Sequence, residues 1–217
     1  MPDVTVAVVD NDVLKKGAGY GLLEQFIVSI PATVESVGFL AVARFVIRKK
    51  LRRGGVVRDP EAAIALLERI VAQAQVLEPT AEESAAAAEL EYQAQQANLP
   101  FDAGESQLCA IVLTRGISTL VTGDKRAIAA LDRLLAIRGE SERMTKRVLC
   151  LEQLLLRLLR RVPAVRDAVC QEPRLDTALT LCFSCSSPDV AATSWTEGLN
   201  SYVCDVRRSA PMLLADD

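Results

Sequence analysis

The stretch Val4-Thr5-Val6-Ala7-Val8-Val9 is apolar at nearly every position and then stops on Asp10. A strand that is apolar on both faces has to be covered on both faces. That requirement favours a parallel sheet sandwiched between helices over a half-wet antiparallel one. Later segments repeat the alternation. Val76-Leu77 and Ile117–Thr122 read as further strands, while 60–71, 81–97, 104–115 and 125–137 carry helical patterns. Asp59-Pro60-Glu61 opens one helix with an N-cap and a proline at the first position. Thr80-Ala81-Glu82-Glu83 opens another as a capping box. Val34 to Leu51 also reads as a helix, with Val37, Leu40, Ala41, Phe45 and Ile47 inward and Gly54-Gly55 ending it. Half the residues are hydrophobic but only 4% are aromatic, so the core is aliphatic. The expected fold is α/β: a three-layer α/β/α arrangement with a central, mostly parallel sheet.

Gly139-Glu140-Ser141-Glu142 reads as a boundary, dividing a domain over 1–138 from a mainly helical, Cys-rich extension over 139–217. The extension starts with a Leu-rich helix over 148–159, read either as buried or as a partner-binding surface. Phe183, Trp195 and Tyr202 read as completing a core rather than as stacking platforms.

The chain has no histidine, which removes Ser-His triads and His metal ligands at once. What remains for chemistry is carboxylate, lysine, thiol or metal. Asp10 and Asp12 sit together at the tip of the first strand, and Asp124 follows a later strand after Gly123. In open α/β sheets the carboxyl edge is where ligands bind. Glu105 falls in the first turn of the helix over 104–115 and can aim at the same edge. Each acid also has a purely structural reading. Asp102 and Glu105 have the spacing of a capping box, Asp124 can cap the following helix, and Asp12 can cap or solvate its own. Gathered carboxylates without histidine suit a hard cation, Mg²⁺ or Mn²⁺.

The segments "VAVVDNDVL", "DAGESQLCAIVLTRG" and "TLVTGDKRAIAAL" resemble the PIN-domain nucleases over residues 1–138. The resemblance implies a divalent-metal-dependent nuclease, usually acting on RNA. It makes Asp10, Glu105 and Asp124 catalytic metal ligands, with Asp12 or Asp102 accessory. The family commonly has a further Glu on an early helix. Glu35, the only acid between Glu24 and Asp59, is the candidate, although it lies nearer the first Asp than the family pattern. Small members of the family are often toxins held by an antitoxin, and they often dimerise. Two rivals stand beside this reading. One is a catalytically inactive PIN-like module that binds RNA or protein. The other is a haloacid-dehalogenase-like phosphatase using Asp10-Asn11-Asp12, for which no strand-ending lysine precedes Asp124.

The net charge of −3 excludes a uniformly basic nucleic-acid binder, but seven basic residues between Arg44 and Arg58 are uninterrupted by any acid. Arg48, Lys49, Arg52 and Arg53, with Lys125 and Arg126 near the acids, are the candidate phosphate contacts. Five of the six cysteines follow residue 149. Cys170, Cys182, Cys185 and Cys204 offer a Cys₄ zinc set, although only Cys182 and Cys185 have the usual pair spacing, and buried thiols are the simpler reading. No leader pattern is visible and no apolar run is long enough to span a bilayer, so a cytoplasmic protein with reduced thiols and no membrane partner is expected.

Overall fold

The structure, a computed structural model, describes residues 5–162, 164–187 and 189–216. Five short strands form one all-parallel sheet: β1 (Ala7–Val9), β2 (Val37–Leu40), β3 (Gln75–Leu77), β4 (Thr119–Thr122) and β5 (Val148–Cys150). The spatial order is β3-β2-β1-β4-β5, so β1 is central and the strand order reverses between β1 and β4. The first residue of the expected opening strand, Val4, lies outside the described residues.

Alternation along β1 divides the molecule into layers. Ala7 and Val9 face one apolar core and Val8 the other. The first core is covered by α1 (Asn11–Gly19), α2 (Leu23–Ser29), α3 (Ala43–Leu51), α4 (Pro60–Val71), α8 (Leu151–Leu159), α9 (Val165–Gln171) and α10 (Thr177–Cys182). The second is covered by α5 (Ala81–Gln96), α6 (Ala103–Arg115), α7 (Lys125–Arg138) and the later part of α11 (Ala192–Ser209). The three-layer α/β/α arrangement expected from the pattern is therefore present. The expected caps are also in place: Asp59 accepts from the Ala62 amide, and Thr80 and Glu83 form their reciprocal box.

Three readings are corrected. The helix expected over 34–51 is broken by β2, whose four residues are all buried. Val37, Leu40 and Ala41 have helical spacing, but a short apolar run fits either element. Here the run is a strand, paired with β1 and β3, and Gly38 leaves room in it for the Leu77 side chain, whose Cδ1 would lie 2.7 Å from a β-carbon. Second, Val148–Cys150 is not the start of a helix but the fifth strand, paired with β4. The sheet thus extends past the boundary read at 138/139, and residues 212–215 hydrogen-bond to Lys146 and Val148, covering its outer edge. Third, Cys170 and Cys185 are joined in a disulfide. This overturns the expectation of reduced thiols throughout and removes two ligands from the Cys₄ zinc set. Cys182 is buried and Cys204 exposed.

Other readings of the later chain hold. The Leu-rich α8 is buried along Leu151, Leu154, Leu155 and Leu158. Phe183 is in the core with Trp195 tilted against it at 6.3 Å. No helix among the described residues is long and apolar enough to cross a membrane.

Candidate functional site

The crevice beyond the carboxyl ends of β1 and β4 is the switch point of this sheet, the usual ligand position in open α/β folds. An open cleft of about 770 Å³ lies there. Asp10, Asp12, Asp102, Glu105 and Asp124 all line it. Acids spread over more than a hundred residues of chain therefore meet at one edge.

Asp10 leaves β1 in extended conformation and becomes the N-cap residue of α1. Its own amide donates to the Val121 carbonyl at 2.9 Å, which ties the end of β1 to β4. Thr122 then links two of the acids. Its hydroxyl donates to Asp10 Oδ2 at 3.1 Å and accepts from the Asp124 amide at 3.2 Å. Asp124 caps α7, with Oδ1 accepting from the amides of Arg126 (2.8 Å) and Ala127 (3.2 Å). Asp102 and Glu105 form the capping box of α6: Glu105 Oε2 accepts from the Asp102 amide at 2.8 Å, and Asp102 Oδ1 from the Glu105 amide at 3.0 Å. The structural role and the place in the cleft coincide for each of these acids.

The electrostatics are those of carboxylates short of positive charge. Burial pushes Glu105 up to about 7, and Asp102, Asp124 and Asp10 push in the same direction. Beneath it, Phe101, Leu108, Cys109, Leu120 and Leu131 line a small, largely apolar cavity of about 20 Å³ that also touches Asp10. Asp10 is likewise raised, by burial first and then by Asp12, against the opposing Thr122 hydroxyl and the N–H groups of Asp12 and Asn11.

Asp12 differs. It sits in the first turn of α1 and is paired with Lys15 at 2.9 Å and Lys16 at 2.5 Å. Burial would raise it, but the two lysines outweigh burial and hold it below the usual carboxylate range. Lys16, itself nearly buried, also meets Asp176 at 2.5 Å. Gly123 makes room for this cluster, since a β-carbon there would lie 2.6 Å from Asp12 Oδ2. On the far side Lys125 is bound to the buried Glu152 at 2.5 Å, with its ammonium 4.9 Å from the Tyr202 ring centroid.

Glu35 does not join the site. It lies in a short 3₁₀ turn, Val34–Ser36, immediately before β2. That is the amino edge of the sheet, opposite the cleft, and the side chain is exposed. The reversal follows from the missed strand: four extended residues carry the chain across the sheet between Glu35 and the carboxyl edge.

The basic candidates divide into groups. Lys125 and Arg126 line the cleft. Arg48, Lys49, Arg52 and Arg53 line a separate groove on the outside of α3. Arg48 is paired with Glu68 at 3.3 Å and Arg52 with Glu61 at 3.1 Å, both on α4. Phe45, read as inward, is 64% exposed in that groove.

Several contributors went unread in the sequence. Thr122 stood inside a quoted motif without a role, and its place at a strand end between two acids was the available signal. Lys16, Asp176 and Glu152 carried no local signal, because their pairing depends on how the later helices pack.

The oxygen donors, without His or Cys, are of the type a hard cation takes, and Glu105 among them is raised first by burial and then by its acidic neighbours. Among the described residues, no group of three or more His, Cys, Asp or Glu side chains is placed so that it could hold a metal ion. A Mg²⁺ or Mn²⁺ ion here would rest on at most two carboxylates, with water and substrate phosphate completing its shell. No protein-family model matches the chain, and no curated protein or solved structure matches it either.

Proposed function

We propose that this protein is a divalent-metal-dependent nuclease of PIN type, hydrolysing phosphodiester bonds in RNA. The observation that carries the reading is that Asp10, Glu105 and Asp124 border one cleft at the sheet's switch point. The PIN resemblance assigns the same three residues. Asp10 and Glu105 are the proposed holders of Mg²⁺ or Mn²⁺, and Asp124, whose amide is held by the Thr122 hydroxyl that also binds Asp10, is the proposed partner for the attacking water. The bound ion would acidify a water and offset charge on the phosphodiester. Lys16, Lys50, Lys125 and Arg126 face the same cleft; Lys16, Lys125 and Arg126 are paired with acids, which leaves Lys50 as the cation there for a substrate phosphate. Asp12 is the weaker ligand of the set, since its carboxylate already serves Lys15 and Lys16.

The test is cleavage of an end-labelled single-stranded RNA with added Mn²⁺ or Mg²⁺. Asp10→Asn should reduce cleavage at least ~100-fold, the scale of a lost electrostatic contact to the reacting centre. Cleavage that persists in a chelator, or at the parental rate in Asp10→Asn, would overturn the proposal.

A second reading has its own support. The pairing of Asp12 with lysines, and of Asp102 with Glu105, leaves fewer unengaged oxygens than a robust metal centre uses. A PIN-like module that binds RNA without cutting it would then bind in chelator and stay inert in Mn²⁺. The phosphatase reading is less well supported, because Asp12 would be its acid and is held ionised by Lys16. A cytoplasmic location, an antitoxin-like partner and a homodimer belong to the PIN proposal, and co-purification and sedimentation test the last two.

A further inference from the structure

α3 forms the lip between the acidic cleft and the outer groove. Ala43, Ile47 and Leu51 point into the core and are fully buried. The opposite stripe is Val42, Phe45, Val46, Lys49 and Lys50, spaced i, i+3, i+4, i+7 and i+8 along one helix face, with Arg53 just past the helix end. Val46 and Lys50 line the cleft, whereas Phe45, Lys49 and Arg53 line the groove of about 440 Å³. A polymer lying across this stripe touches both.

The stripe changes character along its length. Val42 is 55% and Phe45 64% exposed, so its first turn is apolar. The Arg44 guanidinium carbon stands over the Phe45 ring, 5.0 Å from its centroid, so a cation backs one ring face and a base would stack on the other. The later turns are basic. Arg48 and Arg52 are engaged by Glu68 and Glu61. Lys49, Lys50 and Arg53 have no acidic partner among the described residues. A solvent-exposed phenyl ring followed by three uncompensated cations suits a ligand with flat apolar faces and regularly repeated negative charge. Single-stranded nucleic acid has both, and a duplex hides the faces.

We propose that the outer face of α3 binds single-stranded nucleic acid. A base stacks on Phe45, and the following phosphates run over Lys49, Lys50 and Arg53 toward the cleft. The direction of the strand rests on the nuclease reading, while the binding does not.

The experiment is therefore done in a chelator, where cleavage plays no part. A fluorescein-labelled 12-nucleotide oligouridylate and a labelled RNA duplex of equal length are titrated with the full chain, monitored by anisotropy. Single strand should bind more tightly than duplex. Phe45→Ala and Phe45→Leu should each weaken single-strand binding by roughly 5- to 100-fold, the range of one lost base–aromatic stack. Phe45→Tyr should restore it. Replacing Lys49, Lys50 and Arg53 by Ala should flatten the dependence of log K on log salt by about 2, the contribution of three phosphate contacts on a single strand. Tighter duplex binding would overturn the proposal, and so would no measurable single-strand binding. Parental affinity in Phe45→Leu would overturn it too, and would assign this face to a protein segment. Loss of metal-dependent cleavage with these affinities intact would refute the nuclease reading alone.

Discussion

Glu105→Gln is the substitution that most directly probes the charge balance of the cleft. Glu105 moves from 4.5 to about 7 on folding. Between those values the folded chain binds more protons at this position than the unfolded chain, so stability falls as pH rises through that window. The stabilisation is fully present below about 4.5 and gone above about 7. Moving from 4.5 to about 7 corresponds to ~3.4 kcal/mol of differential ionisation. Glu105 is only partly buried, and screening by cleft water reduces this to roughly 1–2 kcal/mol. Glutamine removes the charge but retains an acceptor for the Asp102 amide, so the capping box survives. Urea unfolding in chelator should give Glu105→Gln and the parent nearly equal stability at pH 4. By pH 8 the variant should be more stable by roughly 1–2 kcal/mol, the reduced figure above. Adding Mn²⁺ at pH 8 should reverse the order, since an ion at about 100 times its dissociation constant stabilises the parent by ~2.7 kcal/mol. Equal destabilisation of the variant at pH 4 and pH 8 would refute the reasoning. Glu105 would then be only a helix cap, and the crowding of carboxylates would have no energetic consequence.

Other expected outcomes follow from single contacts. Thr122→Val keeps the shape but removes the hydroxyl between Asp10 and the Asp124 amide. It should cost roughly 1–3 kcal/mol in urea unfolding and lower metal-dependent cleavage, which Thr122→Ser should restore. Lys16→Met leaves Asp12 and Asp176 facing each other without their shared cation. Thermal or urea unfolding should show a loss of about 3–5 kcal/mol at neutral pH, easing as pH falls into the carboxylate range. Reducing Cys170–Cys185 opens a loop with a sequence separation of 15 and should cost about 3 kcal/mol, read from urea unfolding with and without reductant. A thiol count of six in the untreated protein would show the pair to be open.

Legibility followed range. Asp59-Pro60 and Thr80-x-x-Glu83 were readable because a cap is completed within one turn of its own sequence. The first strand was readable because every residue in it is buried. β2 was not, because Val37 and Leu40 have the i, i+3 spacing of a helix face, whereas in the strand they face opposite cores, and only pairing with β1 and β3 distinguishes the two. Phe45 and Glu35 were misplaced by the same error. Once 37–40 is extended, the helical phase restarts at Ala43, which turns Phe45 outward, and Glu35 falls on the opposite edge of the sheet. Glu152 and Asp176 were unreadable for a different reason. Their lysine partners, Lys125 and Lys16, lie 27 and 160 positions away, and only the packing of α8 and α10 against the first core brings them together.

The acids of the cleft show why a capping reading and a chemical reading need not compete. Asp10, Asp102 with Glu105, and Asp124 each sit at the start of a different helix: α1, α6 and α7. Each helix start presents unpaired N–H groups and a partial positive charge, which favours a carboxylate there. Three such starts aimed at one switch point lower the cost of gathering negative charge, using residues that terminate helices correctly in any case. The compensation is incomplete, because Glu105 still stands near 7 and Asp10 is still raised. Asp12, in contrast, has found two lysines and is depressed. Within a single cleft, then, Asp12 is neutralised by two lysines and Asp124 has Arg126 at 3.6 Å, while Asp10 and Glu105 have no cationic partner among the described residues, and those two are the pair that a divalent ion would complete.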